Sequence, residues 1–530
     1  MNPWYDDAGA ATLGSVFRYV IPEAVLLGTV CLLFLFGCVY NRRWLWGCVS
    51  LLGLVGAMLV AGLYRPGSMA VAETAPVFTD ALADLVRWTA LLSGLVLLGL
   101  TWPEVPSSRA AEYYGCLLTL LAGVALVGRA NDLLTLFVAL ELISIPTYVL
   151  LYLPYRSATT REAALKYFLL SVASSAVMLF GFSYLYGVAG SLKLSVLTAT
   201  LSQLPTDVLS PLALLGAILA LAGLSFRLTL VPFHFYAPDV YQAGPAGVIG
   251  VLAVLPKLAG FIALGRLFGW LSANPAVLPF PPATSVPSIL WILAVLTMTV
   301  GNILALRQNS LRRLLAYSSV AHSGYMLMGG VIASAWSEAP AATAAAIAPL
   351  VGGMDALLFY LLAYALMTFG VFAILTSLDT PDHTVDNIDE LAGMGRSHPV
   401  RGLLLTIFLL SLIGMPFTAG FVGKFLLFVG AFTAPAAHPE LSRLYQGLAI
   451  IAAVNAAVAA VYYLRLIGVL YLREPVRPLP RRWAILPTLT AIVLAIATVL
   501  FGTYAQPLLQ VSQKAAPRPA PAAVQHSSQP

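Results

Sequence analysis

Seven ionisable residues lie inside or beside long apolar runs of this chain: Glu141, Lys166, Arg227, His234, Lys257, His322 and Lys424. Each such residue costs roughly 2.5 to 3.5 kcal/mol at a helix centre on insertion scales, so a set spread over six runs calls for a use. Carboxylate, ammonium and imidazole groups in a low-dielectric interior can toggle their charge and pass a proton along a row. Lysine usage sharpens the point. Only five of the 28 basic residues are lysine, and three of the five, Lys166, Lys257 and Lys424, sit in apolar runs while the connections use arginine. A desolvated lysine can release its proton, whereas arginine stays charged. The competing readings are lysines that snorkel to the surface and static ion pairs that lock helices together.

Glu141, in "LLTLFVALELISIPTYVL", and Lys166, in "EAALKYFLLSVASS", fall on successive runs joined by a short connection, so they are expected to face one another as an ion pair. The stretch "FRLTLVPFHFYAPDVYQAGPAG" carries Arg227, Pro232, His234, Pro238 and Asp239. A proline removes a backbone donor and clashes with the preceding turn. The freed carbonyls survive at membrane depth only where the break is enclosed by protein or lines a hydrated cavity. Two half-helices are therefore predicted across 209–241, with Arg227 and His234 flanking the break and Asp239 at the cytoplasmic mouth. The device recurs in "SLIGMPFTAGFVGKF", where Gly414, Pro416, Gly420 and Gly423 interrupt a run just before Lys424. Pro256, directly ahead of Lys257, predicts a local kink.

Helices crossing a bilayer must position these groups. The chain is 60% hydrophobic and 9% charged, with mean hydropathy +0.89 over 530 residues, which marks an all-α polytopic membrane protein. Runs long enough to cross a core roughly 30 Å thick are predicted near 19–40, 44–64, 81–102, 112–129, 132–154, 162–187, 209–241, 247–270, 287–307, 311–335, 346–377, 400–432, 444–472 and 483–507. That makes about fourteen transmembrane helices. The two broken spans, the seventh and the twelfth, run in opposite directions, which predicts an inverted repeat of two five-helix units with the pathway at their interface. Helices 4–8 (112–270) form one unit and helices 9–13 (287–472) the other. Helices 1–3 (1–111), helix 14 (483–507) and a Pro/Ala-rich disordered tail (511–530) are additions.

Arginine sets the orientation. Arg42, Arg43, Arg109, Arg156, Arg161, Arg307, Arg312, Arg313, Arg396, Arg401, Arg473, Arg477, Arg481 and Arg482 fall on one side, against Arg65, Arg129, Lys193, Arg443, Lys514 and Arg518 on the other. Basic connections stay cytoplasmic, so both termini are expected outside the cytoplasm. These loops explain the net charge of +6, and no nucleic-acid partner is called for. The acidic start "MNPWYDD" is unlike a secretory signal, and the first helix is expected to be retained. Cys31, Cys38, Cys48 and Cys116 show no metal or redox spacing, and neither a dinucleotide loop nor a haem-ligand pair is present, so no cofactor or metal is expected in the chain.

The stretches "LELISIPTYVL", "EAALKYFLLSVASSAVMLFGFSYLYG", "VPFHFYAPDVYQAGPA", "GNILALRQNSLRRLLAYSSVAHSGYML" and "SLIGMPFTAGFVGKF", in this order and spacing, resemble the antiporter-like subunit N family of proton-translocating NADH-quinone oxidoreductase, respiratory complex I. The likeness runs from about residue 112 to 470. It implies a proton-translocating membrane-arm subunit of an enzyme in the bacterial inner membrane, with a Glu–Lys pair at Glu141 and Lys166. It further implies a broken-helix basic residue at Arg227, a central Lys257, a terminal Lys424, and His234 and His322 near the same polar axis. NADH, FMN, iron–sulfur clusters and quinone would bind other subunits, and the partners would be other membrane-arm subunits, including further antiporter-like ones. The chain departs from the family pattern at Arg227, where lysine is usual. Arginine cannot take a turn as proton donor, so it is expected to hold a fixed charge that tunes Lys166 or Lys257. Two further readings share these features: a multi-subunit cation/proton antiporter, and a scaffold whose relay is inactive.

Overall fold

The computed structural model describes residues 17–63, 77–154, 157–203, 211–268, 286–337, 353–380, 383–434, 439–475 and 484–516. The acidic start, Arg65, Arg156, Arg477, Arg481, Arg482, Arg518 and the tail from residue 517 lie outside the described residues. The first half comprises α1 (Ile21–Gly37), α2 (Arg43–Leu63), α3 (Ala81–Thr101), α4 (Ala110–Arg129), α5 (Leu133–Tyr152), α6 (Ala158–Ala189), α7 (Leu194–Gln203), α8 (Pro211–Arg227), α9 (Ala237–Ala243) and α10 (Ala246–Leu267). The second comprises α11 (Val286–Leu306), α12 (Leu311–Ser337), α13 (Met354–Leu378), α14 (Pro399–Ile413), α15 (Ala419–Thr433), α16 (Pro439–Leu472), α17 (Ile485–Thr503) and α18 (Gln506–Ala515). Among the described residues no strand forms, and ten helices are long and apolar enough to cross a membrane. Helices α1, α8, α14 and α15 are shorter apolar pieces.

Local chemistry fixes the ends of these helices. Asp80 caps α3 by accepting from the Ala83 N–H (2.9 Å), Asp132 caps α5 through Thr135, and Ser157 caps α6 through Thr160. Helix α10 is buried along its whole length, which makes it the axis of the bundle, whereas α2, α6 and α17 turn most of their residues outward to the bilayer. Helix α10 runs through Pro256 without interruption, with its residues buried on every side. Helix α7 falls in a stretch assigned to no span; at ten residues it is too short to cross. Residues 511–515, assigned to a disordered tail, belong to α18. Gln506–Ala515 has an apolar stripe that buries Ser512 and Ala515 against the bundle, and this ordering moves the start of any tail beyond 516.

Both predicted helix breaks are present. Helix α8 stops at Arg227, and the Leu230 N–H donates to the Ser225 carbonyl (2.9 Å) while the Tyr236 hydroxyl donates to the Phe226 carbonyl (3.1 Å). The carbonyls that the helix end leaves open are thus taken up inside the protein, and the Leu228 carbonyl, which Pro232 cannot serve, accepts the Thr229 hydroxyl (2.7 Å). Helix α14 ends at Gly414, whose φ of 94° is a left-handed conformation that favours glycine. The chain re-enters helix at α15 after Thr418 donates its hydroxyl to the Met415 carbonyl (2.6 Å).

An ionic cluster that the seven-residue reading omits binds helices α1, α3 and α4. Arg87 donates from Nε to Glu23 Oε1 (2.8 Å) and from Nη2 to Glu23 Oε2 (2.7 Å), with both residues buried, and Arg129 donates to Asp84 (2.8 Å). Removing one partner of such a pair strands a buried charge, at a cost of about 3–5 kcal/mol. Glu23→Ala is therefore expected to lower the thermal midpoint of the detergent-solubilised assembly markedly, and Glu23→Ala combined with Arg87→Leu to recover most of the loss. Equal midpoints for wild type and Glu23→Ala would show that the pair contributes nothing.

Candidate functional site

At the first break Arg227, the last residue of α8, is 6% exposed and turns its guanidinium into the α5–α6 seam. Nη2 donates to Glu141 Oε1 (2.7 Å) and Ser175 Oγ (3.1 Å); Nη1 donates to the Leu140 carbonyl (3.0 Å) and to Ser144 Oγ. Ser175 in turn donates to Glu141 (2.6 Å). The planar fork suits this task, because it serves a carboxylate, a carbonyl and two hydroxyls at once.

The expected Glu141–Lys166 pair does not form. Lys166 is half-exposed and donates to Glu162 (2.7 Å) and Asp239 (3.5 Å), and Asp239 also receives Arg313 (2.9 Å). The reason lies in the rotation of α6. Its inward stripe runs Thr160, Ala163, Ala164, Tyr167, Ser171, Ser175 and Met178 at helical spacing, and Lys166, one position before Tyr167, points off that stripe. Ser175 is the residue of α6 that meets Glu141. Asp239 is partly exposed, with Lys166 and Arg313 as its partners.

Deeper in the bundle, Lys257 on α10 is 1% exposed. Its Nζ donates to the carbonyl and the hydroxyl of Ser319, and the face of the Tyr364 ring lies 5.5 Å away. Ser319 Oγ shares hydrogen bonds with the hydroxyls of Tyr364 (2.7 Å) and Tyr241 (3.0 Å). A small cavity lined by Tyr241, Ser318, Ser319, Tyr364 and Thr368 together with the apolar Leu315, Val371, Phe372 and Leu412 adjoins this cluster. His322, one turn beyond Ser319 on α12, places Nδ1 2.7 Å from the Tyr360 hydroxyl and Nε2 3.2 Å from the Tyr463 hydroxyl. Tyr463 and Ser318 share a further hydrogen bond.

Lys424 on α15 reaches back across the second break. Its Nζ donates to the carbonyls of Leu412 (2.9 Å) and Ile413 (3.0 Å), the open C-terminal end of α14, and lies 4.9 Å from the Tyr325 ring. A side chain on Gly414 would crowd it, since a Cβ there would meet Lys424 Cδ at 3.2 Å. His234 sits in the first break with its ring toward Tyr317 at 6.4 Å.

The seven expected residues thus fall into four groups. Arg227 and Glu141 pair; Lys257, His322 and Lys424 occupy one buried region, with the Tyr364 ring between the first two and the Tyr325 ring between the last two; Lys166 is half-exposed; His234 stands apart in the first break. The hydroxyl residues were not singled out beforehand, although "AYSSVAHSGY" holds two of them, Ser318 and Ser319, within about one helical turn of His322, and Tyr360 and Tyr364 share an i,i+4 face. Glu23 and Arg87 were missed despite satisfying the same test of charge within an apolar run.

Residues 130–438 match the family model described as NADH:quinone oxidoreductase/Mrp antiporter, TM. The chain is 35% identical to NADH-quinone oxidoreductase subunit N of Trichlorobacter lovleyi, covering 88% of this chain and 90% of that one. Among solved structures, a chain of respiratory complex I from Thermus thermophilus with bound aureothin superposes with a TM-score of 0.73 at 32% identity, over 92% of this chain and 98% of the other. A chain of the Mrp complex from Dietzia has the same fold, with a TM-score of 0.73 at 19% identity over 94% of this chain and 97% of the other.

Proposed function

Because the chain belongs to the NADH-quinone oxidoreductase subunit N family, we propose that it is a membrane-arm subunit of that complex and conducts protons across the membrane through its buried polar groups. The observation that carries the reading is the pairing of each helix break with a basic side chain: Arg227 ends α8 on Glu141, and Lys424 holds the carbonyls that end α14. Lys257 and His322 lie in the same buried region, each bonded to hydroxyls of its own, with the Tyr364 ring between them.

Each group has a different task. Arg227 supplies a fixed positive charge beside the Glu141 side chain. Ser319, which both accepts and donates, can carry a proton between Lys257 and the hydroxyls of Tyr241 and Tyr364. His322 presents one ring nitrogen to Tyr360 and the other to Tyr463, so a proton arriving at one nitrogen frees the other. Lys424 is stabilised as an ammonium by two carbonyls. Once neutral it would turn a lone pair toward acceptor oxygens, so its release step must be coupled to movement or to another proton.

In this reading α8–α9 and α14–α15 are each one broken crossing, which gives fourteen crossings, and α4–α10 and α11–α16 are inverted repeats. The cytoplasmic side is the one where Arg43 donates to the Val105 carbonyl, Arg109 to Leu153, Arg312 to Val385 and Arg473 to Asp389, which supports termini on the opposite side. Electron transfer with NADH, FMN, iron–sulfur clusters and quinone is assigned to other subunits, and neighbouring membrane-arm subunits, antiporter-like ones among them, are the partners. Affinity purification through a tag on this chain is expected to bring down subunits carrying flavin and iron–sulfur clusters. An assembly lacking them that exchanged sodium for protons in vesicles would transfer the chain to the antiporter reading.

A further inference from the structure

Helices α3 and α10 are antiparallel, of nearly equal length at 21 and 22 residues, and fastened to one another at both ends. At one end Asp80, the N-cap of α3, accepts both terminal nitrogens of Arg266 near the end of α10 (2.6 and 2.7 Å). At the other end Glu104, three residues beyond α3, accepts the Gly247 N–H in the first turn of α10 on both carboxylate oxygens (3.0 and 3.1 Å). Thr376 of α13 donates to the same carboxylate (3.3 Å). The fit at Gly247 is close: a Cβ there would stand 2.6 Å from Glu104 Oε2. The two clamps bracket the helix that carries Lys257.

The two ends are not equivalent. Arg266 keeps its charge at any working pH, whereas a carboxyl group can lose its own. We propose that Glu104 is a positioning residue for Lys257, whose carboxylate holds the start of α10 when ionised and lets it shift when protonated. The inference rests on the reading of Lys257 as a member of the proton path. An ionised Glu104 binds the N-terminal end of α10 more tightly than a neutral one, because charge-assisted acceptance and the helix dipole both favour the anion. Asp379, beyond the end of α13, disfavours the charge, while Arg312 of α12, occupied with Asp379 (2.5 Å), favours it. His383 lies near Asp379, and Arg43 of α2 donates to the adjoining Val105 carbonyl. Desolvation outweighs the opposing influences and pushes the Glu104 carboxyl up to about 8. The group therefore changes charge just above neutral pH, and the clamp is released on the acidic side of that point.

The test is proton pumping by the assembled complex in inverted membrane vesicles at about pH 7 and about pH 9, with wild type, Glu104→Gln, Gly247→Ala and Lys257→Ala. A group titrating near 8 goes from about nine-tenths to about one-tenth neutral over that interval. Pumping draws on the released state, in which Lys257 can move, so the rate of Glu104→Gln relative to wild type is expected to rise, by up to about tenfold, from the lower pH to the higher. Gly247→Ala, whose Cβ would crowd Glu104, Leu100 and Thr101 and so loosen the same end of α10 without removing the carboxylate, is expected to raise its ratio to wild type in the same direction. Constant ratios for both variants overturn the proposal. Lys257→Ala decides the underlying reading separately: if it pumps normally, Lys257 is no part of the path, whatever the Glu104 ratios show.

Discussion

Lys424→Arg is expected to assemble and to lose proton pumping by roughly 100-fold. The charge is kept; what changes is the release of the proton. An arginine side chain holds its proton at least about 2 pH units more tightly than lysine in water, which lowers the population of the neutral form about 100-fold or more. The surroundings give no compensating advantage. Lys424 Nζ meets the carbonyls of Leu412 and Ile413, and a planar guanidinium would form equal or better bonds to that helix end and remain charged. Space is tight on the Gly414 side, so a native gel must show the variant in the complex before its rate is read. Wild-type pumping in inverted vesicles by an assembled Lys424→Arg complex would make Lys424 a fixed charge and end its role as a switch.

The features legible in the sequence were those decided locally. Proline and glycine constrain the backbone wherever they stand, so Pro232 and the run from Gly414 to Gly423 announced both breaks, and charges in apolar runs located Lys257, His322 and Lys424. Partnerships were harder to read, because they depend on how a helix is rotated about its own axis. A rotation of one residue on α6 exchanges Lys166 for Tyr167 on the inward stripe, and that is why Glu141 finds Ser175 and Arg227. Hydroxyls were silent for another reason. Serine and tyrosine occur in spans without penalty when a nearby carbonyl satisfies them, so nothing in composition distinguishes Ser319, which serves Lys257, from Thr498, which donates to the Leu494 carbonyl of its own helix. The Glu104 clamp joins residues 143 positions apart through a backbone N–H, for which no side-chain pattern exists.

At the first break, removing Glu141 is expected to be more damaging than removing Arg227, and removing Lys166 to be mild. Burial decides the order. The Arg227 side chain is 5% exposed and that of Glu141 23%, so the charge stranded by Glu141→Ala is the more deeply desolvated of the two. Breaking a buried pair from one side costs about 3–5 kcal/mol, enough to reduce assembly as well as pumping. Arg227→Ala strands a carboxylate that still receives the Ser175 hydroxyl and some water, and its loss should be smaller. Arg227→Lys keeps the charge beside Glu141 but gives up the fork that also holds the Leu140 carbonyl and Ser144, so it should pump between wild type and Arg227→Ala. Lys166 is half-exposed, its bonds to Glu162 and Asp239 are screened by water, and Lys166→Ala is expected to stay near wild type. The double variant Glu141→Ala/Arg227→Ala separates this arrangement from its rival, because deleting both charges leaves none stranded and should assemble better than Glu141→Ala alone. Assembly is read on native gels and pumping in inverted vesicles. If Lys166→Ala proves as damaging as Glu141→Ala while Arg227→Ala is mild, then Glu141 works with Lys166, and the pairing at the end of α8 is not the one that moves protons.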